Sequence, residues 1–456
     1  MEAYDFWMTD EIRYDTQITG KWIGGHLIMM RSLYSGVSGL KVHQTKMDVI
    51  GNNISNVNTV GFKASRVTFS ELFYQTTQTA TGPNAETNTG GQNAKQIGLG
   101  ASLASISVDV TGEGGNQSTN RPFDLKINGN SFFIVNSNGS TYFTKAGNFA
   151  KDEAGNLVTD TGAFVMGYVA DTPGAALQTD QLRPIQVYAS KYVNTEPSAT
   201  SAANFTGNIN KEDSNFASNL PITRNIYVYD NLGYQYGVQV QISKVSDTEY
   251  SVTTNGVYSG TKLVEGLNAT INGTLTFDAA TGKLASDTKL DLSITGSDSF
   301  TVDPIEVDFS KITSYGTETT IDSARGTYDG EGTGKKVGVM TSVGIDASGN
   351  VVAAYDNGDN EIIGQIAVAT FSNPAGLEKV GQNMFAATLN SGEFNGIGQD
   401  INATGGSFSP GVLEMSNVDL ATEFTDMIVT QRGFQANSRV ITTSDTMLEE
   451  LLSLKR

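Results

Sequence analysis

The chain contains no cysteine, which excludes disulfides, thiolate metal sites and cysteine nucleophiles together. Histidine is almost absent too, with His26 and His43 alone among 456 residues. Proline occurs nine times and tryptophan twice. Basic residues are scarce: 29 Lys and Arg stand against 48 Asp and Glu, a formal charge of −19. Such a chain has no cationic excess with which to neutralise nucleic-acid phosphates or an anionic membrane surface, so neither partner is expected. No apolar run reaches the length of a membrane-spanning helix, and no membrane insertion is expected. The start, MEAYDFWMTDEIRYD, is acidic where a cleavable signal peptide is basic. The apolar run at 22–28 is short and broken by Gly24 and Gly25, so export, if it occurs, uses another route.

What the chain has in quantity is glycine, 50 residues, with many Thr, Ser and Asn. That composition describes a β-rich protein with frequent turns, and the length implies two to four compact units. Residues 1–28 differ in character from the rest and hold both tryptophans, Trp7 and Trp22. They are expected to be an upstream or non-native extension, with the natural start at Met29 or Met30.

An amphipathic segment follows. Leu33, Val37, Leu40, Met47, Ile50, Ile54 and Val57 recur at spacings of three, four or seven, the signature of an apolar helical stripe. The helix would be roughly 37 Å long, and Gly36, Gly39 and Gly51 weaken it by up to about 1 kcal/mol each. Such a helix needs a partner. The other end of the chain offers one in Leu420, Phe424, Met427, Phe434, Ile441, Leu448 and Leu452, with Gln431, Ser438 and Asp445 at the intervening seam positions. Their spacing alternates four and three, a repeat of about 3.5 residues that makes a coiled-coil stripe. Asn417 or Asp419 is the expected cap, and Asp419, Glu423 and the terminal Lys455 and Arg456 suit the helix dipole.

Between the helices the pattern is β. Asp152 to Asn156 and Asp346 to Asn350 both read as an Asp-x-x-Gly-Asn turn between strands, and Asp278 to Gly282 is a looser copy. Tyr236, Val238, Val240 and Ile242 alternate as in a half-buried antiparallel strand. Residues 76–95 contain no large apolar side chain and read as a linker.

The catalytic inventory is thin. His43 lies on a helix with no second ligand, and neither His-Glu-x-x-His nor Gly-x-Ser-x-Gly occurs. The stretch from Gly330 to Lys336 looks like a phosphate loop, but its glycines bracket three residues instead of four and Lys336 stands where Ser or Thr should bind magnesium. The Asp152 and Asp346 turns lack the sixth-position glycine and closing glutamate of calcium loops. No catalytic residue, cofactor or metal is expected.

At both ends the residues become recognisable. MRSLYSGVSGL at 30–40 and DVIGNNISNVNTVGFK at 48–63 resemble the N-terminal signature of the flagellar rod and hook protein family. GVLEMSNVDL at 411–420 and QRGFQANSR at 431–439 resemble its C-terminal signature. Interior segments are similar as well: RPFDLKINGNSFFIV at 121–135, YFTKAGNF at 142–149 and AVATFSNPAGL at 367–377. The resemblance covers about 29–175 and 336–456 clearly, and the middle more loosely.

The resemblance implies a mainly β multidomain chain, with discontinuous β domains in the middle and terminal helices pairing as a coiled-coil-like domain. The expected units are 29–75 plus 412–456 for the helical inner tube, 76–96 and 402–411 as connectors, 97–175 plus 336–408 as a first β domain, and 176–335 as an inserted outer β domain. That large insert favours the hook branch of the family over the shorter rod proteins. The implied role is a subunit of a flexible, curved, torque-transmitting tube that polymerises with itself through the two apolar stripes. The implied partners are flagellar rod, hook-cap and hook–filament junction proteins and the flagellar export apparatus, and the implied location is the flagellum outside the cell. The alternatives are a distal rod protein or a secreted β-rich surface adhesin.

Overall fold

The computed structural model describes residues 8–83, 90–285, 288–296 and 304–454, with side chains from Arg31. Among the described residues three α-helices form: α1 (Met8–Ser55), the single turn α2 (Ser214–Ala217) and α3 (Leu420–Ser453). The α1 helix runs unbroken through Met29 and Met30, longer than the expected span from Leu33, and no proline lies in it to stop it. Helix α3 starts where expected. Asp419 is its N-cap and accepts a hydrogen bond from the Ala421 backbone N–H at 3.0 Å, with Glu423 in the first turn. Lys455 and Arg456 lie outside the described residues.

Beyond α1 the chain forms a two-stranded antiparallel ribbon, Ser65–Glu71 with Ala101–Val108. It continues into a second pair, Tyr74–Gln78 with Lys95–Gly98. Residues 76–96, expected as a connector, therefore include the stem of a β-arm. Polar side chains do not prevent pairing here, because an exposed two-stranded arm has no face to bury. The second expected connector, 402–411, is corrected in the same way: Ser407–Pro410 pairs with Leu125–Asn128, and Phe408 is buried against Phe133.

The first β body is a largely antiparallel sheet. Its central strands are Phe132–Ser137, Phe164–Val169 and Asn360–Ile366, flanked by the hairpin Met340–Ile345 with Asn350–Tyr355. Both Asp-x-x-Gly-Asn turns form as expected. Asp152 Oδ1 accepts from the Asn156 N–H at 2.7 Å and Asp346 Oδ1 from the Asn350 N–H at 2.8 Å, with Gly155 at φ 82° and Gly349 at φ 81°. The body keeps more of the chain than 97–175. Gln178–Pro184 pairs with Phe164–Val169, and Ile185, Val187 and Tyr192 sit in the same core. The chain leaves near Asn194 and returns near Val339, joined by bridges Asn194↔Val339 and Ser198↔Lys335. The phosphate-loop lookalike lies at this crossing, where Lys336 pairs with Asp356 at 2.9 Å and Lys335 with Asp359.

The inserted stretch forms two further sheets over one core. In one, Ala202–Asn208 and Ile305–Thr313 run parallel. In the other, Gln235–Lys244 lies between Ile222–Tyr229 and Glu249–Ser259, and Val238, Val240 and Ile242 point inward as the alternation predicts. Phe205 and Phe309 stack at the centre with ring centroids 4.7 Å apart.

Candidate assembly interface

The two long helices pack antiparallel. Ser32 Oγ lies 3.3 Å from Ser444 Oγ, Lys46 Nζ is 3.5 Å from Asp426 Oδ2, and Asn53 Nδ2 donates to Glu423 Oε1 at 2.9 Å. Between these contacts the backbones come close because side chains are missing. A Cβ on Gly36 would meet Ile441 at 3.2 Å, one on Gly39 would meet Asn437 at 2.7 Å, and one on Gly433 would meet the His43 ring at 2.7 Å. Gly51 has nothing within 4 Å, so its place in the helix is not explained by packing. Ser32, Gly36, Gly39, His43, Lys46, buried Ile50 and Asn53 thus make a three–four repeat on α1.

On α3 the facing residues are Glu423, Met427, Thr430, Phe434, Asn437, Ile441, Ser444 and Leu448, again at three–four spacing. Four expected seam residues, Met427, Phe434, Ile441 and Leu448, are half-buried there. The polar places differ from expectation by one position. Gln431 and Asp445 are exposed and Ser438 half-buried, while Thr430 and Ser444 are buried.

The expected α1 stripe is displaced likewise. Leu33, Val37, Leu40, Met47 and Ile54 each follow a seam residue by one position, about 100° further round the helix. Val37 is 46% exposed and the other four are half-buried. Of that stripe only Ile50 lies on the seam, and Val57 sits half-buried past the helix end. Leu420, Phe424 and Leu452 on α3 are exposed. The pair is therefore held by small and polar residues of α1, with Ile50, against a mixed face of α3, and much of its apolar surface is left outside.

The seam is also electrically tuned. Burial, and then the neighbouring Lys46 charge, lowers the His43 pKa, and His43 Nδ1 is buried without a hydrogen-bond partner. Burial raises the Glu423 pKa, against the stabilising bond from Asn53.

Sequence reasoning missed a second feature, the joint that fixes the helix pair to the β body. Lys63 and Glu414 form an ion pair of 2.8 Å, 2% and 1% exposed. Lys63 Nζ also donates to the Gly112 carbonyl at 2.6 Å, and Glu414 Oε1 accepts the Gly114 N–H at 3.0 Å. The Gly61 N–H donates to the Glu414 carbonyl at 2.8 Å. Gly61 sits at φ 68°, and a Cβ there would meet the Ala146 backbone at 2.7 Å, so no other residue fits. Asn417 Oδ1 accepts the Ala64 N–H at 2.8 Å, and Asn53 bonds both backbone groups of Ser65. Nearby Lys145 is lowered to about 8, first by burial and then by the Lys63 charge, while its Nζ donates to the Gly129 carbonyl at 2.6 Å. Asn53, Gly61, Lys63, Glu414 and Asn417 lie inside the quoted terminal signatures, which was the available signal. The spacing of polar residues alone does not point to them.

Three family models match the chain. "Flagella basal body rod protein" covers 33–63, "Flagellar hook protein FlgE/F/G D1 domain" covers 126–201, and "Flagellar basal body rod FlgEFG protein C-terminal" covers 409–454. A relative named flagellar hook protein FlgE, from Treponema pallidum, is 37% identical over 94% of this chain and 100% of its own length. The chain belongs to the flagellar hook and rod protein family. Within it, the flagellar hook protein FlgE of Borreliella burgdorferi is also 37% identical, over 94% of this chain and all of its own length. The flagellar basal-body rod protein FlgG of Bacillus subtilis is 31% identical over the same shares. The solved Helicobacter pylori flagellar hook protein FlgE2 aligns with a TM-score of 0.43 at 13% identity, over 64% of this chain and 98% of that one. The models at 33–63 and 409–454 fall on the two segments that meet at the joint and the seam.

Proposed function

We propose that this member of the hook and rod family is the structural subunit of the flagellar hook, polymerising into a flexible curved tube that carries torque from rod to filament. The observation that carries the reading is the misplaced apolar surface of the terminal helices. Their mutual seam is small or polar on α1 apart from Ile50, and it covers only part of the apolar surface of α3, while Val37, Phe424, Ile428 and Leu452 stay 46%, 49%, 58% and 66% exposed. Large apolar side chains left in rows on a rod favour association, at about 25 cal/mol for each Å² of apolar area removed from water. The hook-protein names of the relatives supply the setting.

In this reading the helix pair with its ribbon is a coiled-coil-like inner layer, 109–193 with 339–411 is the middle layer, and the insert between them is the outer one. The role is structural and not catalytic. The partners are further copies of the chain, then rod, cap and junction proteins at the tube ends and the flagellar export apparatus. The chain works in the flagellum, outside the cell.

A second reading, a distal rod protein, has the rod-protein relative in its favour. Electron microscopy of a deletion strain separates the readings. Basal bodies with complete rods but no hook or filament support the hook, truncated rods support the rod protein, and intact flagella reject both. Purified chains should form curved polymers, where a rod protein forms short straight ones.

A further inference from the structure

The helix pair has two open sides of different make, and they differ in what each needs. On one side lie the residues that follow the seam: Leu33, Val37, Leu40, Met47 and Ile54 of α1, with Phe424 and Ile428 of α3. In an antiparallel pair, positions displaced in the same sense from the seam fall on the same side, so these seven form one convex stripe.

The opposite side carries the residues that precede the seam. On α1 these are covered by the ribbon: Val42 is 6% exposed, a Cβ on Gly100 would meet Ser38 Oγ at 2.1 Å, and the Phe69 ring meets His43 edge-on with centroids 6.1 Å apart. On α3, Asp426 and Gly433 meet α1, but the larger preceding residues are uncovered, with Val429 at 60%, Val440 at 42% and Met447 at 51% exposed. The ribbon's inner face pairs Val67 with Ile106 and Phe69 with Leu103, while its other face carries the hydroxyl pairs Thr68–Ser105 and Ser70–Ser102. Phe69, Leu103 and Ile106 nevertheless remain 40%, 42% and 47% exposed, because α1 covers only part of that face. Helix α3 and the ribbon thus form the floor and wall of a trough. At its far end a cleft of about 370 Å³ opens between Ser32, Val440, Thr443 and Met447.

We infer that the trough of one subunit receives the convex stripe of the next. This deepens the hook reading by naming which surface meets which. The occupant is a second copy of the chain for two physical reasons. A stripe of large side chains at three–four spacing is the shape a groove between a helix and a ribbon accepts. Stripe on stripe would close a two-fold dimer and leave both troughs empty, whereas stripe in trough covers both with one contact. Such a heterologous contact does not close and propagates as an open helical filament.

Absence of cysteine makes the test clean. Gln44, exposed beside the stripe, and Thr443, exposed in the trough, are each replaced, as Gln44→Cys and Thr443→Cys in the full chain. Each variant is polymerised alone and as an equal mixture, then treated with a short bismaleimide. The inference predicts dimers in the mixed polymer and none in either single-variant polymer. Dimers in the Gln44→Cys polymer alone, or polymers of normal yield with no mixed dimers, overturn the pairing and leave the hook reading standing. Failure of the wild-type chain to polymerise overturns both.

Discussion

The inserted β body and the terminal helix pair treat apolar side chains in opposite ways. In the insert, Phe205, Val228, Val238, Val240, Tyr250, Leu275, Leu292, Val307 and Phe309 are all at 0% exposure. Its two sheets close over that core without outside help. In the helix pair, Gly36, Gly39 and Gly433 bring the helices close along a narrow seam, and Val37, Ile428 and Phe424 face outward. A β-sheet buries its inner face against a second sheet of the same chain. Two helices give each other only one narrow seam, and the remaining surface waits for neighbours. One region is complete as a monomer and the other becomes complete on assembly.

Changes inside the finished regions should therefore cost stability first. Phe205→Ala removes half of the central stack and should cost about 3–5 kcal/mol, read as an early melting transition of the monomer. Lys63→Met leaves the Glu414 carboxylate buried and unpaired, with a loss of about 3–5 kcal/mol. Adding Glu414→Leu should return part of it; no recovery in the double variant would show that backbone bonds, and not the ion pair, hold the joint.

The seam should respond more mildly. Gly433→Ala drives a methyl into the His43 ring and should cost about 1–3 kcal/mol by overpacking. Combining it with His43→Ala removes the clash, so the double variant should be the more stable of the two in chemical denaturation. A smaller effect is expected from pH. The folded His43 pKa lies below its ordinary 6.5, so the unfolded chain takes up the proton first. Its contribution is complete above about 6.5 and fades as pH falls through that value towards the folded pKa. His43→Gln should flatten that slope in melting curves between neutral and acid pH, and an unchanged slope would assign it to other groups.

The division between the regions also decides how much was legible in sequence. Turn chemistry is local, so the Asp152 and Asp346 hairpins could be read from five residues each. The alternation at Val238, Val240 and Ile242 worked because that strand has one buried face. On the helices the same logic misled. Apolar periodicity marks surface that must be buried, and it is silent on whether the burial is within one chain or between chains. Leu40 and Met47 drew the eye, while Gly39 and Lys46, one position earlier, make the contact. The glycines were a usable hint, since Gly36, Gly39 and Gly433 can be read as places of close approach. The paired strands 74–78 and 95–98 left no trace, because their polar side chains carry no apolar alternation.

The most direct test of this contrast is Leu40→Asp, a charge placed on the outer stripe and off the seam. Monomer melting and sedimentation of polymer are measured on the same preparation. The account predicts a monomer within about 0.5 kcal/mol of wild type that no longer forms sedimentable polymer. Polymer formed at the wild-type concentration threshold would contradict it.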